Sequence, residues 1–133
     1  MASKDLHNNL KFTPAINPAA AITGDGTTTS AIIDTQGFES LEFSCQSGVI
    51  TDGSFTGSVY EGDASDMSDE AVATELLGSA PVFSASNDNV VKKVGYRGGK
   101  RYVRIKFVQA GSTSGGFLSC VAVQGHARNS PVA

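Results

Sequence analysis

Apolar and polar residues alternate with a period of two in several short runs of this chain, and that rhythm fits a strand with one buried and one wet face. In residues 38–45 (FESLEFSC), Leu41, Phe43 and Cys45 alternate with Ser40, Glu42 and Ser44. In residues 102–107, Val103, Ile105 and Phe107 fall on one side and Tyr102, Arg104 and Lys106 on the other. Runs at 30–34 (SAIID), 55–61 and 90–96 (VVKKVGY) read as further strands, with Gly37 and Thr51–Gly53 as turns. Gly98 and Gly99 predict a two-residue hairpin between 90–96 and the strand that follows. The run 117–123 (FLSCVAV) is apolar on both faces. It is expected to be covered twice, at the centre of a sandwich with the N-terminal segment over its back or against another subunit.

Seven or eight such strands with Gly-rich turns and no βαβ rhythm predict an all-β fold, a β-sandwich or jelly-roll, with at most one short helix. Ser68 as N-cap, Asp69 and Glu70 in the first turn and Gly78 at the end place that helix near 68–78. Residues 1–28 lack periodicity and contain Pro14 and Pro18, so they read as an extended N-terminal arm. Residues 29–133 then form one β-sandwich domain, and 133 residues suffice to bury a core without disulfides or metals.

The net charge is only −3, but its distribution is lopsided. All thirteen acidic residues lie at or before Asp88, and eight basic residues with no acid follow Asn89. Such asymmetry predicts complementary pairing, inside one domain between neighbouring strands or between subunits meeting head to tail. Glu42 facing Arg104 or Lys106 is the kind of pair expected. Cys45 and Cys120 lie in apolar runs far apart in sequence, with no spacing that assigns a disulfide. The N-terminal MASKDLHNNLKF has no apolar signal-peptide core, and no stretch approaches the roughly eighteen apolar residues of a membrane span, so synthesis in the cytoplasm and no membrane partner are expected.

Catalytic chemistry finds no support in these residues. The run 95–101 (GYRGGKR) lacks the glycine spacing of a phosphate loop and has Arg101 where Mg²⁺ needs Ser or Thr. His7 and His126 lie near opposite ends with no metal-ligand spacing, and no Gly-x-Ser-x-Gly elbow occurs. The acids Glu61, Asp63, Asp66, Asp69 and Glu70 do not follow the EF-hand pattern. The basic run from Lys92 to Lys106 could meet phosphates, with Tyr96 and Tyr102 stacking on bases, but strand-borne charge matched by neighbouring acids explains it better. No catalytic, cofactor or metal site is expected.

Four segments carry a resemblance: 33–40 (IDTQGFES), 48–53 (GVITDG) with 60–63 (YEGD), 94–104 (VGYRGGKRYVR) and 123–132 (VQGHARNSPV). Together they resemble a family of small virion proteins of tailed bacteriophages and prophages, across nearly the whole chain. The resemblance implies a non-enzymatic structural protein of the phage head module, of the capsid decoration or cement type. Such a protein would sit on the virion surface, bind the major capsid protein and itself as a dimer or trimer, and stabilise the shell. Leu6, Phe12 and Ile16 in the arm and Arg97, Lys100 and Arg101 at the hairpin are the expected contacts. A head–tail connector or tail component, and a carbohydrate-binding module using the three tyrosines, are the alternative functions.

Overall fold

Alternation of side chains across each strand leaves one apolar face per strand to bury, and two sheets stacked face to face bury them all. The computed structural model describes residues 4–128, so the last five residues of the expected domain and the last four of the fourth resembling segment lie outside it. Its strands are β1 (Lys11–Ile16), β2 (Gly26–Thr29), β3 (Ile33–Asp34), β4 (Phe38–Ile50), β5 (Ser54–Gly62), β6 (Ala71–Val72), β7 (Leu76–Leu77), β8 (Val82–Ser84), β9 (Val91–Tyr96), β10 (Tyr102–Ala110) and β11 (Gly116–Ala127). One sheet, A, runs β1-β11-β4-β9-β7; the other, B, runs β2-β10-β5-β6, with β3 also on β10 and β8 also on β5. All pairings are antiparallel. The protein is a β-sandwich.

Two positions of sheet B are each shared by short strands. β2 and β3 line successive parts of β10, and β6 and β8 line opposite ends of β5. Counting each shared position once and setting aside the two-residue β7 at the edge of sheet A leaves eight principal strands, ordered 1-8-3-6 in one sheet and 2-7-4-5 in the other. That is jelly-roll connectivity, in which the chain keeps passing between the sheets.

Between the sheets, Leu41, Phe43 and Cys45 of β4 and Leu118, Cys120 and Ala122 of β11 face Phe55 and Val59 of β5 and Val103, Ile105 and Phe107 of β10. Phe83 of β8 meets Phe107 with ring centroids 6.1 Å apart and planes tilted by 38°. Gly57 makes room for this: a Cβ there would lie 2.7 Å from the Pro81 carbonyl oxygen and 3.0 Å from the Phe107 ring.

Several sequence expectations need correction. Residues expected as an arm supply edge strands to both sheets, β1 on β11 and β2 on β10. Gly98 and Gly99 do not close a hairpin, because β9 lies in sheet A and β10 in sheet B; the glycines sit in a crossover. No helix forms over 68–78. Ala71–Val72 and Leu76–Leu77 pair instead with β5 and β9, and the one helical element among the described residues is a 3₁₀ turn at Ala85–Asn87. A helix of about ten residues is marginal without packing, and here the sheet edges offer these backbones better partners. The N-terminal segment does not cover the back of β11: β1 lies beside it, and Phe117 and Val121 are exposed in the single chain.

Glu42 does not meet Arg104 or Lys106, being in the other sheet opposite Val123 and Gly95. Their partner is Glu70, 2.8 Å from Arg104 and 2.5 Å from Lys106, on the outer side of sheet B. Hydrogen bonds from Lys106 and then Arg104 hold the Glu70 carboxyl below its usual range. A depressed folded-state pKa contributes stability above the unfolded value, lost as pH falls through the folded one. We therefore expect Glu70→Gln to lower the unfolding free energy by about 1–2 kcal/mol at neutral pH. In urea titrations the gap from the unmodified chain should close as pH falls below about 4.

Candidate protein-docking surface

The two outer faces of the sandwich differ in chemistry. On sheet B, Arg104 and Lys106 are bound to Glu70, and the Lys106 ammonium sits 4.5 Å from the centre of the Tyr60 ring. Thr27, Thr29, Thr56 and Ser58 fill the neighbouring positions by register. Apart from Val72, Val82 and Val108, this face is polar and satisfies its own charges.

Sheet A presents the opposite. Directly paired residues share a face, so register places Phe12, Val123, Glu42, Gly95 and Leu77 in one row and Pro14, Val121, Ser44 and Lys93 in the next. Further along lie Val91, and Phe117 resting over Gly48, where a Cβ would come 3.1 Å from the Phe117 side chain. Phe12 and Val91 are each 60% exposed, Leu77 55%, Phe117 46% and Val121 37%. A run of large apolar side chains on one sheet face, open to water, is the usual mark of an interaction surface.

A cleft of about 830 Å³ opens at one end of this face, between sheet A and the N-terminal turn. Asp5 shapes that turn by accepting the backbone and side-chain N–H groups of Asn8, each at 2.9 Å, and Leu10 rests against Gly125 of β11. Leu6, Leu10, Leu77 and Val123 give the cleft an apolar lining, and Asp5, Glu39, Glu42 and Arg97 give it charge. Neither Glu42 nor Arg97 has an ion-pair partner among the described residues. A smaller cleft of about 330 Å³, under the β9–β10 crossover, shares Glu39–Leu41 and Tyr96–Arg97 with it.

The six expected contact residues fall into different settings. Leu6 is 67% exposed at the large cleft, and Phe12 stands on the apolar face. Ile16 is instead buried in the chain's own core, because the bulge between Pro14 and Ile16 turns it inward opposite Cys120. At the crossover, only Arg97 lacks an ion pair. Lys100 holds Asp63 at 2.8 Å, and Arg101 grips Asp34 through two hydrogen bonds of 2.9 Å and Gln36 at 2.6 Å. The Arg101 hydrogen bonds keep the Asp34 carboxyl below its usual range. Tyr96, beneath the crossover, donates its hydroxyl to Glu61 at 2.6 Å and accepts the Lys100 N–H at 3.0 Å; burial and the Glu61 bond push its pKa up.

Sequence reasoning had flagged Phe117 and Val121 through the doubly apolar run they share, but it missed Leu77 and Val91. Leu77 was assigned to a helix, and Val91 shows its outward parity only when paired with Gln46.

The acidic cluster is occupied within the fold. Asp69 accepts the N–H groups of Asp63 and Ala64, Asp66 that of Ser68, and Glu70 its two cations. No group of three His, Cys, Asp or Glu among the described residues is placed to hold a metal ion. In the large cleft, Ser40 Oγ lies 2.5 Å from His126 Nδ1, but no carboxylate binds the other ring nitrogen among the described residues, so the orienting member of a triad is missing. No described helix is long and apolar enough to cross a membrane. No protein-family model matches the chain, and no curated protein sequence matches it.

Because Arg101 is bound within the fold, Arg101→Asp should lower the thermal unfolding midpoint by a small but measurable amount. Adding Asp34→Arg should recover most of that loss. Arg97→Asp should leave the midpoint unchanged. Thermal denaturation of the four chains, with the unmodified one, reads all three outcomes.

Proposed function

We propose that this chain is a non-enzymatic structural protein of a phage virion, a decoration or cement protein that binds the major capsid protein through the outer face of sheet A and stabilises the head. The observation that carries the reading is the contrast between the two faces, one closed by its own ion pairs and the other an open apolar surface ending in a cleft where Glu42 and Arg97 have no ion-pair partner among the described residues. The resemblance of the four sequence segments supplies the setting. The jelly-roll order is compatible with it, since this architecture serves in viral shells, although it also serves in lectins and other proteins. In this reading Leu6, Phe12 and Arg97 contact the partner, while Lys100 and Arg101 position the crossover beside it.

A carbohydrate-binding module draws less support. Of the three tyrosines, Tyr96 is buried, Tyr60 lies under Lys106, and Tyr102 lies 5.0 Å from the Arg101 guanidinium. A connector or tail role shares the apolar-face argument and differs in copy number.

Two measurements test the proposal. Cryo-electron microscopy of the source virus should show hundreds of copies on the outer shell; a single ring at one vertex would favour the connector, and absence from the particle would reject both. In cosedimentation with capsids, Val121→Asp and Phe117→Asp should each weaken binding at least tenfold without lowering the thermal midpoint, while Val108→Asp on sheet B should bind normally. Equal binding by all three would remove the outer face of sheet A as the contact.

A further inference from the structure

Cys45 of β4 and Cys120 of β11 are direct partners across the ladder between the two strands. Both are buried in the core, and their sulfurs are 2.9 Å apart. Non-bonded heavy atoms settle at roughly 3.5–4.0 Å, so these thiols are pressed together. A metal ion between them would hold them farther apart, since each Zn–S bond alone is about 2.3 Å.

The hydrogen bonding of the neighbouring strands shows what kind of pair this is. The Arg97 N–H donates to the Glu75 carbonyl. This register turns the polar backbone groups of Gly95 toward β7 and, by alternation, those of Tyr96, Val94 and Lys92 toward β4. Leu41, Phe43 and Cys45 then direct their own backbone groups to β9, and Cys45 makes no ladder bond to β11. Cys45 and Cys120 therefore form a non-hydrogen-bonded pair, the kind in which opposite Cα atoms approach to about 4.5 Å and side chains lie closest. That spacing lies within the range a disulfide spans, about 4.4–6.8 Å.

We propose that Cys45 and Cys120 are a reversible redox couple, a core dithiol that closes to a cross-strand disulfide by exchange with a low-molecular-weight disulfide such as glutathione disulfide. One cysteine thiolate attacks a glutathione sulfur, forming a mixed disulfide and releasing one glutathione thiolate, which takes up a proton. The second cysteine, losing its proton, attacks the protein-side sulfur of that mixed disulfide, forms the Cys45–Cys120 bond and releases the second glutathione. Two protein thiols are oxidised and one glutathione disulfide is reduced to two thiols. Burial shields both sulfurs in the closed fold, and the contact with Cys120 followed by burial pushes the Cys45 thiol up. Exchange therefore proceeds during folding or through transient opening. The bond staples two neighbouring strands of sheet A, β4 and β11. This inference does not depend on the proposed function.

The test is to unfold the full chain and refold it in glutathione disulfide, then quench in denaturant with N-ethylmaleimide and measure intact mass. The expected product has lost two hydrogens, takes up no N-ethylmaleimide, and melts at a higher temperature than the dithiol. Dithiothreitol should restore two reactive thiols and the lower midpoint. Cys120→Ala should stop at a mixed disulfide with glutathione on Cys45. Two N-ethylmaleimide adducts on the refolded chain, a mixed disulfide as its end product, or a disulfide-linked dimer would each overturn the proposal, and these readings need no variant to fold.

Discussion

The inward rows of β4, β5, β10 and β11 hold the molecule together, because each sheet's apolar side has nowhere to go but the other sheet. Phe43, Phe55, Phe83 and Phe107 are wholly buried there. A one-residue slip in β4 or β10 would turn its apolar row to water and its polar row, Glu42 or Arg104 and Lys106, inward, so the core fixes register as well as contributing stability. The wiring makes this demanding. β10 pairs with β5 and β11 with β4, strands far away in sequence, so few local turns can set these ladders and side-chain burial must.

Charge works on the same problem. Each of the five ion pairs among the described residues joins an acid at or before Asp88 to a base after Asn89. Three of the four acids, Asp34, Asp63 and Glu70, lie in β3 or beside β5 and β6, and four of the five cations stand in or just before β10, which lies between β3 and β5; the fifth pair, Arg128 with Glu39 of β4, is in sheet A. The asymmetry of the sequence is thus used inside one chain. Other acids serve loops: Asp52 accepts the N–H groups of Thr113, Ser114 and Gly115, Asp25 that of Ser112, and Asp88 that of Ile50. Each misregistered pairing would strand one of these groups, so polar contacts add specificity even where exposed ion pairs add little stability.

Strands with clean alternation were legible because burial on one face writes itself into parity; β4 and β10 are the clearest cases. The segments misread are those whose conformation depends on a distant partner. Residues 68–78 carry local helix signals, but Ala73 donates its N–H to the Val59 carbonyl and Glu70 is held from β10, so tertiary contacts override them. Gly98-Gly99 has the chemistry of a hairpin turn, and only the sheet assignment of its flanking strands shows it to be a crossover. Ile16 shows the same limit: its parity within the N-terminal segment is outward until the bulge after Pro14 reverses it. The apolar face of sheet A was half visible, in the doubly apolar run at Phe117, because its other members come from β1, β7 and β9.

An exposed apolar face is a hazard unless association is confined to the intended mode, and the edges of this sandwich bear on that. Edge strands invite further pairing when they are long, flat and uninterrupted. Here β1 carries Pro14, which has no N–H to offer, and a bulge beside it. The opposite edge of sheet A ends in the two-residue β7, and both edges of sheet B are divided between short strands. Growth by strand addition is therefore discouraged along each edge, while the face carrying Phe12, Phe117 and Val121 stays open. In the proposed reading the partner would therefore lie flat against sheet A, with burial of apolar area rather than backbone pairing supplying the affinity.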